Sequence, residues 1–353
     1  MTLYWFMLIV PIMMGLSPIK CDRQLFNLQW LVYGVSLVVI IGLRDQVGGD
    51  WWNYVQNFAK VSLSASSELI AKGYDIGYIA IHWFSLKFSN SIYITNTISA
   101  IFFVSGLMRL SKAMPIPWIA LVVSIPYLVI AVSMGYTRQS IAIGIVMWGM
   151  VYITKNQSMY KYYFTILFAT LFHKTALIMI PIGILYAVLK KEKFPYMEII
   201  AASLFSVIVI YILVLDHIHV LLLHYINETQ FESSGVFFRL SISAIAVAIF
   251  FYYRKSWSET FGDVEFWMII SVIIILMVPS AFFISTAVDR LALFLVPIQI
   301  VVFSRVPYLI KDVNQRTYFV VILLIGQISS LFVWLVFGTH AKNAWIPYKN
   351  LWF

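Results

Sequence analysis

Apolar stretches without a single charged residue recur along the whole chain: 1–19, 24–43, 116–137, 139–154, 199–215, 266–288 and 317–339. Shorter apolar runs at 74–86, 92–108, 162–172, 175–189, 240–253 and 291–304 fill the gaps. A chain built this way has one solvent in which it can fold, a lipid bilayer. There every backbone polar group must be satisfied internally, so only helices and closed barrels span. Barrel strands alternate apolar and polar side chains; runs such as Leu37-Val38-Val39-Ile40-Ile41 do not. Composition agrees: 62% of residues are hydrophobic and 11% charged, against about 45–50% and about 25% in soluble domains. A large soluble enzyme is excluded. The expected fold is all-α, a polytopic transmembrane helical bundle forming one integral membrane domain over residues 1–353. At roughly 30 residues per span with its loop, it holds about ten to twelve spans, with room for re-entrant segments. The apolar N-terminus lacks a basic stretch and a small-residue cleavage site, and reads as a first span. Cys21 is the only cysteine, so no internal disulfide and no cysteine-ligated metal site is available.

Lys and Arg total 24 against 15 Asp and Glu. In short loops this excess signals orientation and contact with lipid headgroups; it does not call for nucleic acid. Lys20/Arg23, Arg109/Lys112, Lys155/Lys161, Lys190/Lys191/Lys193, Arg254/Lys255 and Arg305/Lys311/Arg316 mark the cytoplasmic side. The main loops 44–73 and 216–238, the turn near Arg138 and the tail 340–353 then lie outside. The runs 74–86, 92–108 and 116–137 separate the first outer loop from Arg138. Three crossings cannot return a chain to the side it left. One of these runs, or the 53–72 stretch, must dip without crossing. The short pair 162–172 and 175–189 is also unusual. Eleven helical residues rise only about 16 Å, which puts the turn His173-Lys174 at membrane depth, where polar backbone lines a site or a wet cavity.

Arg44, Arg138, Arg239 and Arg290 stand at the outer ends of spans. An arginine at mid-span costs on the order of 3 kcal/mol, so each needs a reason. Arg44 and Arg239 equally suit interfacial anchoring, and Arg290 adjoins Asp289, a candidate partner. Arg138-Gln139 opens an apolar helix, so an anion there meets both a guanidinium and a helix N-terminus. In the outer loop, Gly48-Gly49 permits a tight turn, Asp50 is a candidate acid or base, and Trp51, Trp52 and Tyr54 offer flat faces to a sugar. Asp216-His217-Ile218-His219 and His224 read as a polar loop rather than a metal site, because i, i+2 spacing does not share a helical face. His82 and His340 read as satisfied structural groups. No P-loop, no G-x-G-x-x-G, no H-E-x-x-H and no Asp-x-Asp pair is present, so neither ATP hydrolysis nor a metal-bound nucleotide sugar is indicated.

Arg44…Val47-Gly48-Gly49-Asp50-Trp51…Asn53-Tyr54 resembles the R-x-x-V-G-x-D-x-x-x-Y element of EpsG-like proteins, a branch of the Wzy-type polysaccharide polymerases. Thr137-Arg138-Gln139-Ser140-Ile141-Ala142 resembles their R-Q-x-x-A helix start, and Leu171-Phe172-His173-Lys174-Thr175-Ala176 their F-H-K-S/T-A turn. Asp289-Arg290-Leu291 is similar to a late element. Gly49 departs from the pattern, which more often has a small hydroxyl residue there. The resemblance implies an O-antigen polymerase of the bacterial inner membrane, a multi-span glycosyltransferase active on the periplasmic face. Its donor and acceptor would be undecaprenyl-pyrophosphate-linked oligosaccharides, its surroundings membrane lipids, and its partner a separate chain-length regulator. An O-antigen ligase or a lipid-linked oligosaccharide flippase is the alternative. No cofactor and no metal is implied. Arg138 and Arg290 would hold the pyrophosphate, with Arg239 and Arg44 as further contacts and Lys174, Gln139, Tyr54 and Trp51 lining the site. His173 is the leading base and Asp50 the second.

Overall fold

The apolar stretches fold as helices, and no β-sheet forms among the described residues. The computed structural model describes residues 1–17, 22–63, 75–190, 200, 204, 208, 211 and 235–352. Most of the expected span 199–215, nearly all of the loop 216–238, residues 64–73 of the first outer loop, and His217, His219 and His224 lie outside the described residues. The helices are α1 (Thr2–Leu16), α2 (Arg23–Gly42), α3 (Trp51–Leu63), α4 (Ile76–Leu86), α5 (Tyr93–Lys112), α6 (Pro117–Gly135), α7 (Thr137–Thr154) and α8 (Met159–Thr170). A 3-10 turn (Lys174–Ile178) then runs into α9 (Met179–Leu189). After it come α10 (Val236–Thr260), α11 (Val264–Ser280), α12 (Ser285–Ala292), α13 (Pro297–Leu309), α14 (Val313–Phe337) and α15 (Thr339–Ala344). Helices α2, α5, α6, α10 and α14 are long and apolar enough to cross a bilayer, and α12 with α13, bent by 51°, makes a sixth, broken candidate. Helices α1, α4, α11 and α9 with its 3-10 turn are apolar but shorter. The protein is an all-α, multi-pass membrane protein.

Two compact units divide these elements. The first comprises Met1–Trp148, Leu171–His173 and Phe303–Phe353. Its centre is α6, apolar on all sides and buried along nearly its whole length, as a helix enclosed by others must be. Over Ile125–Val132 this helix widens to π-helical turns that begin beside Pro126, whose ring supplies no N–H for a regular ladder. The outward faces of α2 and α14 carry Leu28, Leu31, Ile322 and Ile325 exposed, as lipid-facing surface does. Helices α5 and α7 touch backbone to backbone: a Cβ on Gly106 would lie 1.8 Å from the Gly144 carbonyl oxygen. Small residues at such a crossing let dispersion and close packing do what the hydrophobic effect cannot do in lipid.

The ends of this unit answer the parity question. At one end Lys112 Nζ donates to Asn27 Oδ1 at 2.7 Å, joining the C-terminus of α5 to the start of α2, both on the expected cytoplasmic side. At the other end Arg44 reaches Thr137 and bridges to Asn350. The first outer loop, the Arg138 turn and the C-terminal tail therefore share one end. Asp75, just before α4, pairs with Arg138 at that end, and Tyr93, the first residue of α5, donates to Asp45 at the same end, 2.9 Å away. Both ends of the 75–93 segment return to one side. The run 74–86 is the one that does not cross.

The second unit comprises Gly149–Thr170 and Lys174–Val302. Helices α8 and α9 form a hairpin in which the buried Tyr162 donates to the Met179 carbonyl at 2.6 Å. Gly183 admits that ring, since a Cβ there would lie 2.3 Å from Tyr162 Cε1. The α10–α11 turn is clipped by Asp263, whose carboxylate accepts from Trp257 Nε1 at 3.1 Å and Trp267 Nε1 at 2.9 Å.

Gly106→Ala is expected to force α5 and α7 apart and destabilise the protein by about 1–3 kcal/mol, the usual cost of overpacking. Gly326→Ala, where a Cβ meets nothing within 4 Å, is the control. Thermal unfolding of both variants in one detergent checks this; equal midpoints would refute the contact.

Candidate functional site

In the first unit the candidate side chains gather where α2, α3, α4 and α7 begin or end. Arg44 is the anchor. Its side chain is buried at 1% exposure and all three kinds of guanidinium nitrogen donate: Nη1 to the Ile41 carbonyl (2.6 Å), Nε to the Val47 carbonyl (3.1 Å) and Nη2 to Thr137 Oγ1 (2.9 Å). It thereby closes the C-terminus of α2, fixes the following loop and holds the first residue of α7. Burial lowers its pKa to about 10, so it remains charged at neutral pH. The ring of Trp51 lies 5.8 Å from its guanidinium carbon.

The loop it fixes is packed against backbone. Gly48 has φ +112°, and a Cβ there would lie 2.1 Å from the Met134 carbonyl oxygen. Only glycine fits. Gly49 differs, because its added Cβ would make ordinary contact with Trp345 at 3.8 Å; a small hydroxyl residue there is sterically admissible. Trp345 itself donates to the Ile130 carbonyl at 3.0 Å, in the widened turns of α6, and Gly48 N donates to the Ala344 carbonyl at 2.8 Å. The C-terminal segment thus braces the first outer loop. Asp50, half-buried, accepts from Asn53 Nδ2 at 3.2 Å.

Arg138 is the second residue of α7. A cation there opposes the helix dipole, and it is compensated by Asp75, whose Oδ2 accepts from Arg138 Nη1 at 3.0 Å. Asp75 is nearly buried, its side chain 7% exposed, whereas 36% of the Arg138 side chain faces outward. Tyr54, buried on α3, lies close enough to Arg138 to feel its charge. Burial raises the Tyr54 pKa and the Asp50 charge adds to the rise, while Arg138 opposes it; the phenol stays protonated at neutral pH. Gln139 is buried beside Arg138 on α7. The turn holding His173 docks on the same place: Gly77 N donates to the Leu171 carbonyl at 2.8 Å, and a Cβ on Gly77 would lie 2.8 Å from the Phe172 ring.

Asp75 was not among the residues singled out from sequence. The available signal was an acid directly ahead of an apolar run in a chain with few acids, since such a group needs a cationic partner. Of the expected residues, the first unit holds Arg44, Asp50, Trp51, Tyr54, Arg138, Gln139 and His173. Lys174, Arg239 and Arg290 belong to the second. There Asp289 receives a bidentate fork from Arg239, Nε to Oδ1 at 2.7 Å and Nη2 to Oδ2 at 2.6 Å. Helices α10 and α12 bring residues 239 and 289 face to face. Gly235 leaves room for the fork, since a Cβ there would lie 2.4 Å from Arg239 Nη1. The Lys174–Ile178 turn packs on α12.

Arg44→Lys keeps the charge but loses the fork that serves three acceptors. With charged hydrogen bonds contributing about 1.5–3 kcal/mol each, the variant is expected to lose about 3 kcal/mol or more of stability in detergent. An unchanged unfolding midpoint would show that Arg44 does not organise this end.

No curated protein and no solved structure matches the chain. The pattern of the EpsG family matches residues 27–350, nearly the whole length. The chain is a member of the EpsG family, whose members are Wzy-like polymerases.

Proposed function

We propose that the protein polymerises lipid-linked oligosaccharide repeat units into O-antigen or a related surface polysaccharide, at the periplasmic face of the bacterial inner membrane. A hydroxyl at the non-reducing end of a new repeat unit attacks the anomeric carbon of the growing chain. A carbon–oxygen bond forms there as the bond to pyrophosphate breaks. The electron pair leaves with undecaprenyl pyrophosphate, and the hydroxyl proton passes to a base.

The observation that carries this reading is Arg138. It is a guanidinium at a helix N-terminus, held by Asp75 and still 36% exposed. Such a group is pre-oriented to stabilise the charge that develops on a departing pyrophosphate. Asp75 acts as a positioning residue for Arg138, and Arg44 as one for the loop and helix around it. His173, whose turn is docked on Gly77, is the base, because an imidazole exchanges protons near neutral pH; Asp50 is the second candidate. Trp51 and Tyr54 supply the aromatic wall, and Gln139 lines the same end of α7. In the second unit the same phosphate chemistry falls to Arg290 and Lys174, with Arg239 held by Asp289. Chain length is left to a separate regulator.

The test uses purified full-length protein and lipid-linked repeat units isolated from cells lacking this chain, without nucleotide sugar or ATP. A ladder of longer lipid-linked glycans is expected. Transfer to a lipid A core acceptor, with no ladder, would make the protein a ligase instead. Arg138→Lys is expected to lower ladder formation about a hundredfold, as loss of an oriented transition-state donor does, with the unfolding midpoint unchanged. Asp75→Asn is expected to lower it about tenfold, since a neutral amide holds the guanidinium less firmly. Full activity of Arg138→Ala and His173→Ala would remove both from the site.

A further inference from the structure

We propose that Tyr78 and His82 form a buried subsite for a single hydroxyl group: the Tyr78 phenol donates to its oxygen, and His82 Nε2 accepts its proton. Both residues lie on α4, one helical turn apart, and are 3% and 1% exposed. Neither the Tyr78 hydroxyl nor His82 Nε2 has a hydrogen-bond partner among the described residues. Buried polar atoms in folded proteins are almost always paired, so two orphans on neighbouring turns call for a group that serves both.

The identity of that group follows from a chain of hydrogen bonds that can run in one direction only. Ser85 Oγ lies 2.8 Å from the Ile81 carbonyl, which can only accept, so the serine hydrogen is used there. Ser85 Oγ must then accept from Thr95 Oγ1, 2.8 Å away, which uses the threonine hydrogen. Thr95 Oγ1 lies 3.2 Å from His82 Nδ1 and has no hydrogen left to give. Nδ1 therefore carries the proton. Burial between Phe58 and Tyr78, at ring separations of 5.2 and 4.3 Å, favours the neutral imidazole, so Nε2 presents a bare lone pair.

A donor and a bare acceptor on rings that meet at 4.3 Å select among ligands. An anion or a carbonyl would satisfy Tyr78 and repel the lone pair on Nε2. An ammonium would satisfy His82 and leave Tyr78 without an acceptor. A hydroxyl is donor and acceptor at once and satisfies both. It comes from a sugar ring or from a water molecule. The subsite adjoins the residues already assigned: Tyr78 stands edge-on to Tyr54 at 5.9 Å, and Asp75, one helical turn before Tyr78, holds Arg138. His82, which in the sequence reads as a satisfied structural group, is satisfied at Nδ1 but not at Nε2 among the described residues. The sugar source rests on the glycan-polymerase reading above; the tautomer and the subsite do not.

The experiment is nitrogen-15 NMR of the full chain labelled at histidine, in detergent, with and without the repeat-unit lipid of the ladder assay. His82→Gln assigns the signal among the six histidines. The expected result is a neutral ring protonated at Nδ1, whose Nε2 resonance moves to the hydrogen-bonded position when repeat units are added. An Nε2 already hydrogen-bonded without ligand, unmoved by it, and released by Tyr78→Phe assigns the hydroxyl to water. A ring protonated at Nε2, or an Nε2 that stays unbonded in both samples, overturns the subsite. Ladder formation in the same sample separates the two readings: a ladder with unbonded Nε2 refutes this proposal alone, and bonded Nε2 without a ladder refutes the polymerase alone. Under the sugar source, Tyr78→Phe keeps the ring and lowers ladder formation about tenfold, the effect of one lost hydrogen bond.

Discussion

A guanidinium with no access to water organises the first unit. Arg44 sits just past the end of a membrane helix, where carbonyl groups lose their intrahelical partners. It donates to one of them, to the loop that follows, and to the hydroxyl that opens α7. The end of α2, its following loop and the distant start of α7 are thereby set in register at one end of a bundle whose flanks are merely greasy. Lipid offers little force that distinguishes one apolar helix face from another. Directional bonds of this kind therefore carry much of the specificity, and the close glycine crossing of α5 and α7 adds the rest by shape.

On that frame the polar groups take distinct roles. Arg44 is consumed by its own fold, whereas Arg138 is held firmly yet keeps a face outward. The difference lies in what each guanidinium meets. Arg44 faces backbone carbonyls and a threonine. Arg138 faces a carboxylate that fixes its position while leaving further N–H groups for a ligand. The same economy applies to the loop beside them, where Gly48 yields to a carbonyl of Met134 and Trp345 closes over the widened turns of α6. The C-terminal segment is thus part of the site's architecture, although nothing in its residues announces chemistry.

Helix α4 shows how local and tertiary information part company. Its apolar run is indistinguishable from a short span, and its eleven residues carry no charge. What makes it non-crossing is that Asp75 before it and Tyr93 after it both bond to groups at one end. A parity argument from charges shows that one segment must turn back; the contacts identify which. The orphaned Tyr78 and His82 sit on this same helix, as expected for an apolar segment retained for its few polar side chains rather than for crossing.

By itself the sequence determines the all-α membrane class of the protein and its family, and it nominates residues for chemistry. Apolar length, charge partition across the bilayer and the helix-opening Arg138-Gln139 are local properties, readable wherever the chain folds. The four-element likeness to the EpsG pattern is equally a property of order and spacing. Tertiary structure alone decides which partner each charge takes. Arg138 meets Asp75 across 63 residues, Arg44 meets Thr137 across 93, and Arg239 meets Asp289 across 50. Such pairings depend on which helices pack together and in what register. No local energy encodes them, so Asp75 and the histidine tautomer emerge only when the helices are assembled.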